Sequence, residues 1–187
     1  GKQIKQIYAT ANGLKTDING LYISDFEDKE YERLGAKQDI LIKDGDYTLI
    51  ENVDYTVEYI NNKTLGEAIV LINGIGVYNG GMIKKFNIIP KDINKITQEF
   101  VCEDLKFNCQ DVDFDPILKD GNYTLIENLD FTIEYFRNYG EGQIVPLGPD
   151  EKPRDAFNYK IKITGMNNYT GSFEKDFMGW LVWKINT

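Results

Sequence analysis

The residues able to do chemistry in this chain of 187 residues are narrowed at once by the absence of histidine. Without it the Ser-His-Asp, Cys-His and His-metal arrangements are closed. Asp and Glu together number 30, and a pair of them would serve glycoside hydrolysis only in a cleft that holds them at a defined separation. Asp111, Asp113 and Asp115 alternate like the start of a calcium loop. A helix-loop-helix calcium site needs Gly at its sixth position and Glu at its twelfth, where Pro116 and Asn122 stand. On a strand the three acids would simply line one solvated face. Gly74-x-Gly76 is followed by a turn and a strand pattern, so no helix N-terminus is there to cradle phosphate. Cys102 and Cys109 are the only cysteines. They would either close a small disulfide loop in an oxidising compartment or stay as two reduced, small apolar side chains. These residues describe a non-catalytic chain with no cofactor and no metal centre.

Charge and hydropathy narrow the partners. A formal net charge of -9 with no basic run repels phosphate backbones and anionic lipid, so nucleic acid is not an expected partner. No apolar run reaches the roughly 20 residues that cross a bilayer, which predicts no membrane insertion. Gly1-Lys2-Gln3-Ile4-Lys5 lacks the apolar core of a signal peptide. A Gly in place of an initiator Met reads as a processed start, with any export signal upstream. Aromatic content is 13%, and β-branched residues cluster between Gly, Asn and Asp, a composition that favours strands.

The elements that must carry these residues are repeated. Lys43 to Asn62 reads KDGDYTLIENVDYTVEYINN and Lys119 to Asn138 reads KDGNYTLIENLDFTIEYFRN, identical at 14 of 20 positions. Asp17-Ile18-Asn19 opens the first copy and Asp92-Ile93-Asn94 the second. Downstream, Gly74 to Gly80 corresponds to Gly165 to Gly171, and Phe86 to Phe177. The offset grows from 75 to 91 residues, which places an insertion in the second copy, at about 139–158, rich in Pro and Gly and expected to be a loop. Tyr55, Val57 and Tyr59 alternate with polar residues, as do Phe131, Ile133 and Tyr135. That period of two predicts one buried face on a strand. Ala68, Val70 and Ile72 and their counterparts Tyr159, Ile161 and Ile163 should face the core of the next strand. Lys-Asp-Gly at 43–45 and 119–121 signals a tight hairpin, and Tyr78 and Tyr169 should lay their rings over one end of the module and hydrogen-bond back to the chain.

The ordered motifs Asp54-Tyr55-Thr56-Val57-Glu58-Tyr59, Gly66-Glu67-Ala68 and Gly74-x-Gly76-x-Tyr78-x-Gly80, closed by Phe86, resemble an immunoglobulin-like repeat of large bacterial surface proteins. The resemblance runs from about Asp17 to Phe177. It implies an all-β fold of two tandem immunoglobulin-like β-sandwiches: a lead-in at 1–16, one domain at 17–90, and a second at 91–187 that carries the insertion. It implies an extracellular or cell-surface, bacterial, non-catalytic spacer, adhesion or protein-interaction module, next to neighbouring domains of a longer chain. Related modules occur in phage virions and tail fibres, so a virion component is the alternative. A carbohydrate-binding module using Tyr139, Phe157, Trp180 or Trp183 is the third reading. The family shares no catalytic residues. An inter-module cation near Asp92, as in other tandem modules of this kind, is a related expectation.

Candidate interaction residues, for a protein or glycan at a surface, fall in three places. The insertion offers Gly140, Val145, Leu147, Arg154 and Phe157, because binding in sandwich folds is commonly carried on loops over a rigid scaffold. The outward face of the first module offers Ile69 and Leu71, where the second has Lys160 and Lys162. These would form an apolar patch unless the segment from Ile4 to Thr16 covers it. The C-terminal stretch offers Trp180 and Trp183, for stacking on a sugar or for packing.

Overall fold

The computed structural model describes residues 13–100, 116–149, 151–153 and 157–178. The described chain is mostly strands, arranged in several sheets, with single-turn 3-10 helices at Ile18–Gly20 and Ile93–Lys95. It divides into two compact units, Gly1–Ile89 and Pro90–Thr187.

The first unit contains β1 (Thr16–Asp17), β2 (Tyr22–Ile23), β3 (Lys29–Glu30), β4 (Ile42–Asp44), β5 (Tyr47–Thr48), β6 (Tyr55–Ile60), β7 (Gly66–Gly74), β8 (Tyr78–Asn79) and β9 (Gly81–Ile89). A four-stranded sheet runs β3-β9-β7-β6, a three-stranded one β2-β4-β5, and β1 pairs in parallel with β8. The alternation read from the sequence sets which side is inside. Ala68, Val70 and Ile72 of β7 are fully buried, while Ile69 and Leu71 between them are half-buried. The β4-β5 hairpin closes through Gly45-Asp46 between the partners Asp44 and Tyr47. Gly45 sits at φ 58°, the positive value that a Gly-first two-residue turn requires.

The second unit repeats this order except at β3 and at an added strand, β15: β10 (Lys91–Asp92), β11 (Thr97–Phe100), β12 (Pro116–Asp120), β13 (Tyr123–Thr124), β14 (Phe131–Asn138), β15 (Ile144–Pro146), β16 (Asn158–Gly165), β17 (Tyr169–Thr170) and β18 (Ser172–Met178). Its sheets run β15-β14-β16-β18 and β11-β12-β13, with β10 parallel to β17. Among the described residues the four-stranded sheets differ at their edges. In the first unit the extra strand, β3, lies against β9; in the second, β15 lies against β14. Core volume is redistributed accordingly. Ala68, beside Phe86 with Phe26 edge-on to it at 6.5 Å, is replaced by Tyr159, stacked on Phe177 at 5.6 Å. A small residue on one strand is thus offset by an aromatic brought in from elsewhere, as close packing demands.

Within the first unit the chain enters and leaves at opposite ends, and the second is entered at the matching place. In the first, Asp17 lies against Gly80, just before β9 begins, and the chain leaves at Ile89 after nine residues of strand, about 30 Å away at the rise of an extended chain. In the second, Asp92 lies against Gly171 at the start of β18.

Candidate functional site

The acidic residues most prominent in the repeated motifs are engaged in holding turns. Asp54 is 6% exposed, and its Oδ2 accepts hydrogen bonds from the Tyr47 hydroxyl and the Ile50 N–H, each at 2.9 Å. Asp130 does the same for Tyr123 at 2.8 Å and Ile126 at 2.9 Å. Each carboxylate bridges the strand before it and the turn that contains Asn52 or Asn128, both at positive φ. Burying such a charge is tolerable because its acceptor capacity is used.

A second network joins segments far apart in sequence. Asp17 Oδ1 accepts from the N–H and side-chain amide of Asn19 at 3.0 and 2.9 Å, and Asp92 Oδ1 from those of Asn94 at 3.0 and 2.8 Å. The Asn94 N–H, then its side chain, hold the Asp92 carboxyl below its usual range. Gly80 and Gly171 lie at φ 74° and 78°, and a Cβ on either would run into the carboxylate of Asp17 or Asp92. The two motifs at opposite ends of each copy are therefore halves of one contact. Tyr78 and Tyr169 are buried as the turn pattern predicts, and their hydroxyls donate to the carboxylates of Asp44 and Asp120 at 3.1 and 3.2 Å. In the second unit Lys91 adds an ion pair to Asp120 at 2.8 Å, with both side chains largely buried.

The insertion is more ordered than its composition suggests. β14 continues to Asn138, turns through Gly140 and Gly142 at φ 80° and 83°, and returns as β15, pairing Phe136 with Pro146, Arg137 with Val145 and Asn138 with Ile144. The Leu147 N–H then donates to the Tyr135 carbonyl at 2.9 Å. Gly140 is a turn residue, Val145 is about half exposed, and Leu147 is half-buried. Phe157 comes back over the end of the core. It meets Tyr139 at 4.9 Å and 66°, with the Arg137 guanidinium 5.4 Å above its ring, within cation–π range. Tyr139 and Phe157 therefore stand edge to face rather than coplanar. Arg154, Trp180, Trp183, Cys102, Cys109, Asp111, Asp113, Asp115 and, of the segment from Ile4 to Thr16, the part from Ile4 to Asn12 lie outside the described residues.

The outward faces of the two four-stranded sheets carry different chemistry. In the second unit Lys160 pairs with Glu174 at 2.8 Å and Lys162 with Glu134 at 3.7 Å. Their hydrogen bond raises the Lys160 ammonium and lowers the Glu174 carboxyl from their ordinary values. In the first unit the matching positions are Ile69, Ile83, Leu71 and Glu58. Ile60 lies across from Ile69, and Ile83, 67% exposed, across from Leu71. Ile69 and Leu71 thus belong to a row of four aliphatics. Alternation along a single strand marks two of these; Ile60 and Ile83 join them through cross-strand register.

No group of Asp, Glu and Cys among the described residues is placed to hold a metal ion, and no described helix is long and apolar enough to cross a membrane. No family model, curated protein or solved structure matches the chain.

Proposed function

We propose that the chain is a pair of immunoglobulin-like modules from a bacterial cell-surface or secreted protein, non-catalytic, acting as a spacer and protein-interaction region. The observation that carries this reading is the internal polarity of the first unit, in which the chain enters beside the start of the last long strand and leaves at its far end, and the matching entry point of the second unit. Modules built so can be strung in series without a return path. Asp44, Asp54, Asp120 and Asp130, with the tyrosines bonded to them, support the same reading, because their hydrogen bonds hold each unit together. The parts that differ, the insertion and the outward sheet faces, are where a private partner would bind.

Mass determination by light scattering together with a binding screen tests the proposal. A monomer at micromolar concentration that binds an extracellular protein or glycan saturably is the expected result. A closed oligomer of fixed stoichiometry with no such binding would overturn it in favour of a virion component.

A further inference from the structure

Among the described residues no strand pairs with the outer edge of β6 in the first unit, whereas the matching edge of β14 in the second is partly covered by the chain's own β15. Tyr55, Val57 and Tyr59 share one backbone orientation. The Tyr55 carbonyl accepts from the Asn52 N–H, on the side away from β7. The equivalent of Tyr59 in the second unit, Tyr135, accepts there from Leu147. In the first unit β6 ends its sheet, so the main-chain N–H and C=O of Val57 and Tyr59 face outward with no strand beside them among the described residues. The Tyr59 hydroxyl is held by the main chain of Gln38, and just past the end of β6 the Ala36 N–H donates to the Asn62 carbonyl at 2.8 Å. Exposed edges are usually blunted by Lys, Pro or a bulge; Tyr55 to Ile60 contains no Lys, Pro or Gly.

We infer that β6 of the first unit is a docking edge for an extended segment of a partner protein, added antiparallel, with an apolar residue opposite Ile60 and a Lys or Arg opposite Glu58. The mode is strand addition, in which main-chain hydrogen bonds hold the guest and alternate side chains select it. The second unit shows the register: the residue facing Phe136, the counterpart of Ile60, is Pro146, and the next residue bonds to Tyr135. Two positions beyond Pro146 the guest side chain would face Glu58. Glu134, the counterpart of Glu58, has Lys162 at 3.7 Å, whereas the residue across from Glu58 is Leu71. Glu58 is exposed and has no ion-pair partner among the described residues, so a cation on the guest is the complement it lacks.

A second copy of this chain fits less well. The antiparallel β6-to-β6 register that uses both Val57 and Tyr59 on each copy sets Glu58 directly against Glu58, and like charges directly opposite are unfavourable. The net charge of -9 adds to that repulsion.

This inference rests on the interaction-module reading and specifies its site. The probe is a blocked peptide, Gln-Ile-Val-Pro-Leu-Lys-Val, whose first five residues copy Gln143 to Leu147. It is titrated into the full isotope-labelled chain and followed by NMR. The expected result is saturable shifts of the Val57 and Tyr59 amides and slowed hydrogen exchange at both. A peptide with Glu in place of Lys should bind about three- to tenfold more weakly, and Glu58→Lys in the chain should reverse that order. Glu58 is solvated, so its replacement leaves the core intact. Shifts centred elsewhere, no saturation at millimolar peptide, an order that Glu58→Lys does not reverse, or edge-to-edge dimerisation would each overturn the inference. A chain that answers the peptide yet binds no extracellular partner would remove the surface reading and keep the docking edge. Partner binding that survives Glu58→Lys, with no peptide response, would do the reverse.

Discussion

Replacing Asp54 by Ala should be among the most damaging single changes on the polar side of this protein. The carboxylate is 6% exposed and accepts two hydrogen bonds of 2.9 Å, one from Tyr47 and one from the Ile50 N–H. Hydrogen bonds to a charged group contribute about 1.5–3 kcal/mol each, and a buried donor left without an acceptor costs about 1–3 kcal/mol. Set against them is the relief of no longer burying a carboxylate, so the net cost comes to about 3 kcal/mol. In a unit of roughly 90 residues that lowers Tm by about 12–24 °C, at about 4–8 °C per kcal/mol. Asp54→Asn keeps an oxygen for the Ile50 N–H and should cost about 1–2 kcal/mol, as should Tyr47→Phe, which removes one donor and leaves the other. The assay is denaturant unfolding of the full chain, in which the midpoint moves and the slope stays constant. Ala and Asn variants of equal stability, or an Ala variant within about 0.5 kcal/mol of the parent, would refute the reasoning. Asp130→Ala should reproduce the effect, since it holds Tyr123 and Ile126 in the same way.

Three further outcomes follow from the same geometry. Gly121→Ala meets open space at φ 59° and should cost only the left-handed strain of about 1 kcal/mol, whereas Gly171→Ala drives a Cβ to 2.6 Å from Asp92 Oδ1 and should cost clearly more; thermal melts in an Asp92→Ala background should bring the two together. Burial first, then the Coulombic effect of Glu51, raises the Tyr55 hydroxyl, and burial outweighs the Gln38 hydrogen bond to raise that of Tyr59. The stability these phenols contribute is therefore complete below their ordinary value near 10 and is lost as pH rises through the raised one. Melts from pH 8 to 11 should show that fall, and Tyr59→Phe should make it shallower. Leu71→Lys copies Lys162 and sets a cation opposite Glu58; it should change stability by less than about 1 kcal/mol and lower the binding of a hydrophobic dye.

What the residues alone determined here is local and periodic. The alternation in Ala68-Ile69-Val70-Leu71-Ile72 assigned sides because a strand turns successive side chains to opposite faces, and the repeated twenty-residue block marked equivalent strands. Gly45 and Gly80 announced turns, since a positive φ costs Gly least. The contacts that give each unit its character were not legible in this way. Nothing in the spacing says that Gly80 must clear Asp17, that Tyr78 ends on Asp44, or that Ile83 completes the aliphatic row. The insertion read as a loop because it is rich in Pro and Gly; the short β-branched run Ile144-Val145 was its one strand signal, too brief to stand without the edge of β14 beside it. Which edge is covered and which is bare depends on register between segments many residues apart. Register is a property of the assembled sheet: hydrogen-bonding groups identical at every residue carry no address until packing of the side chains chooses which of them face one another.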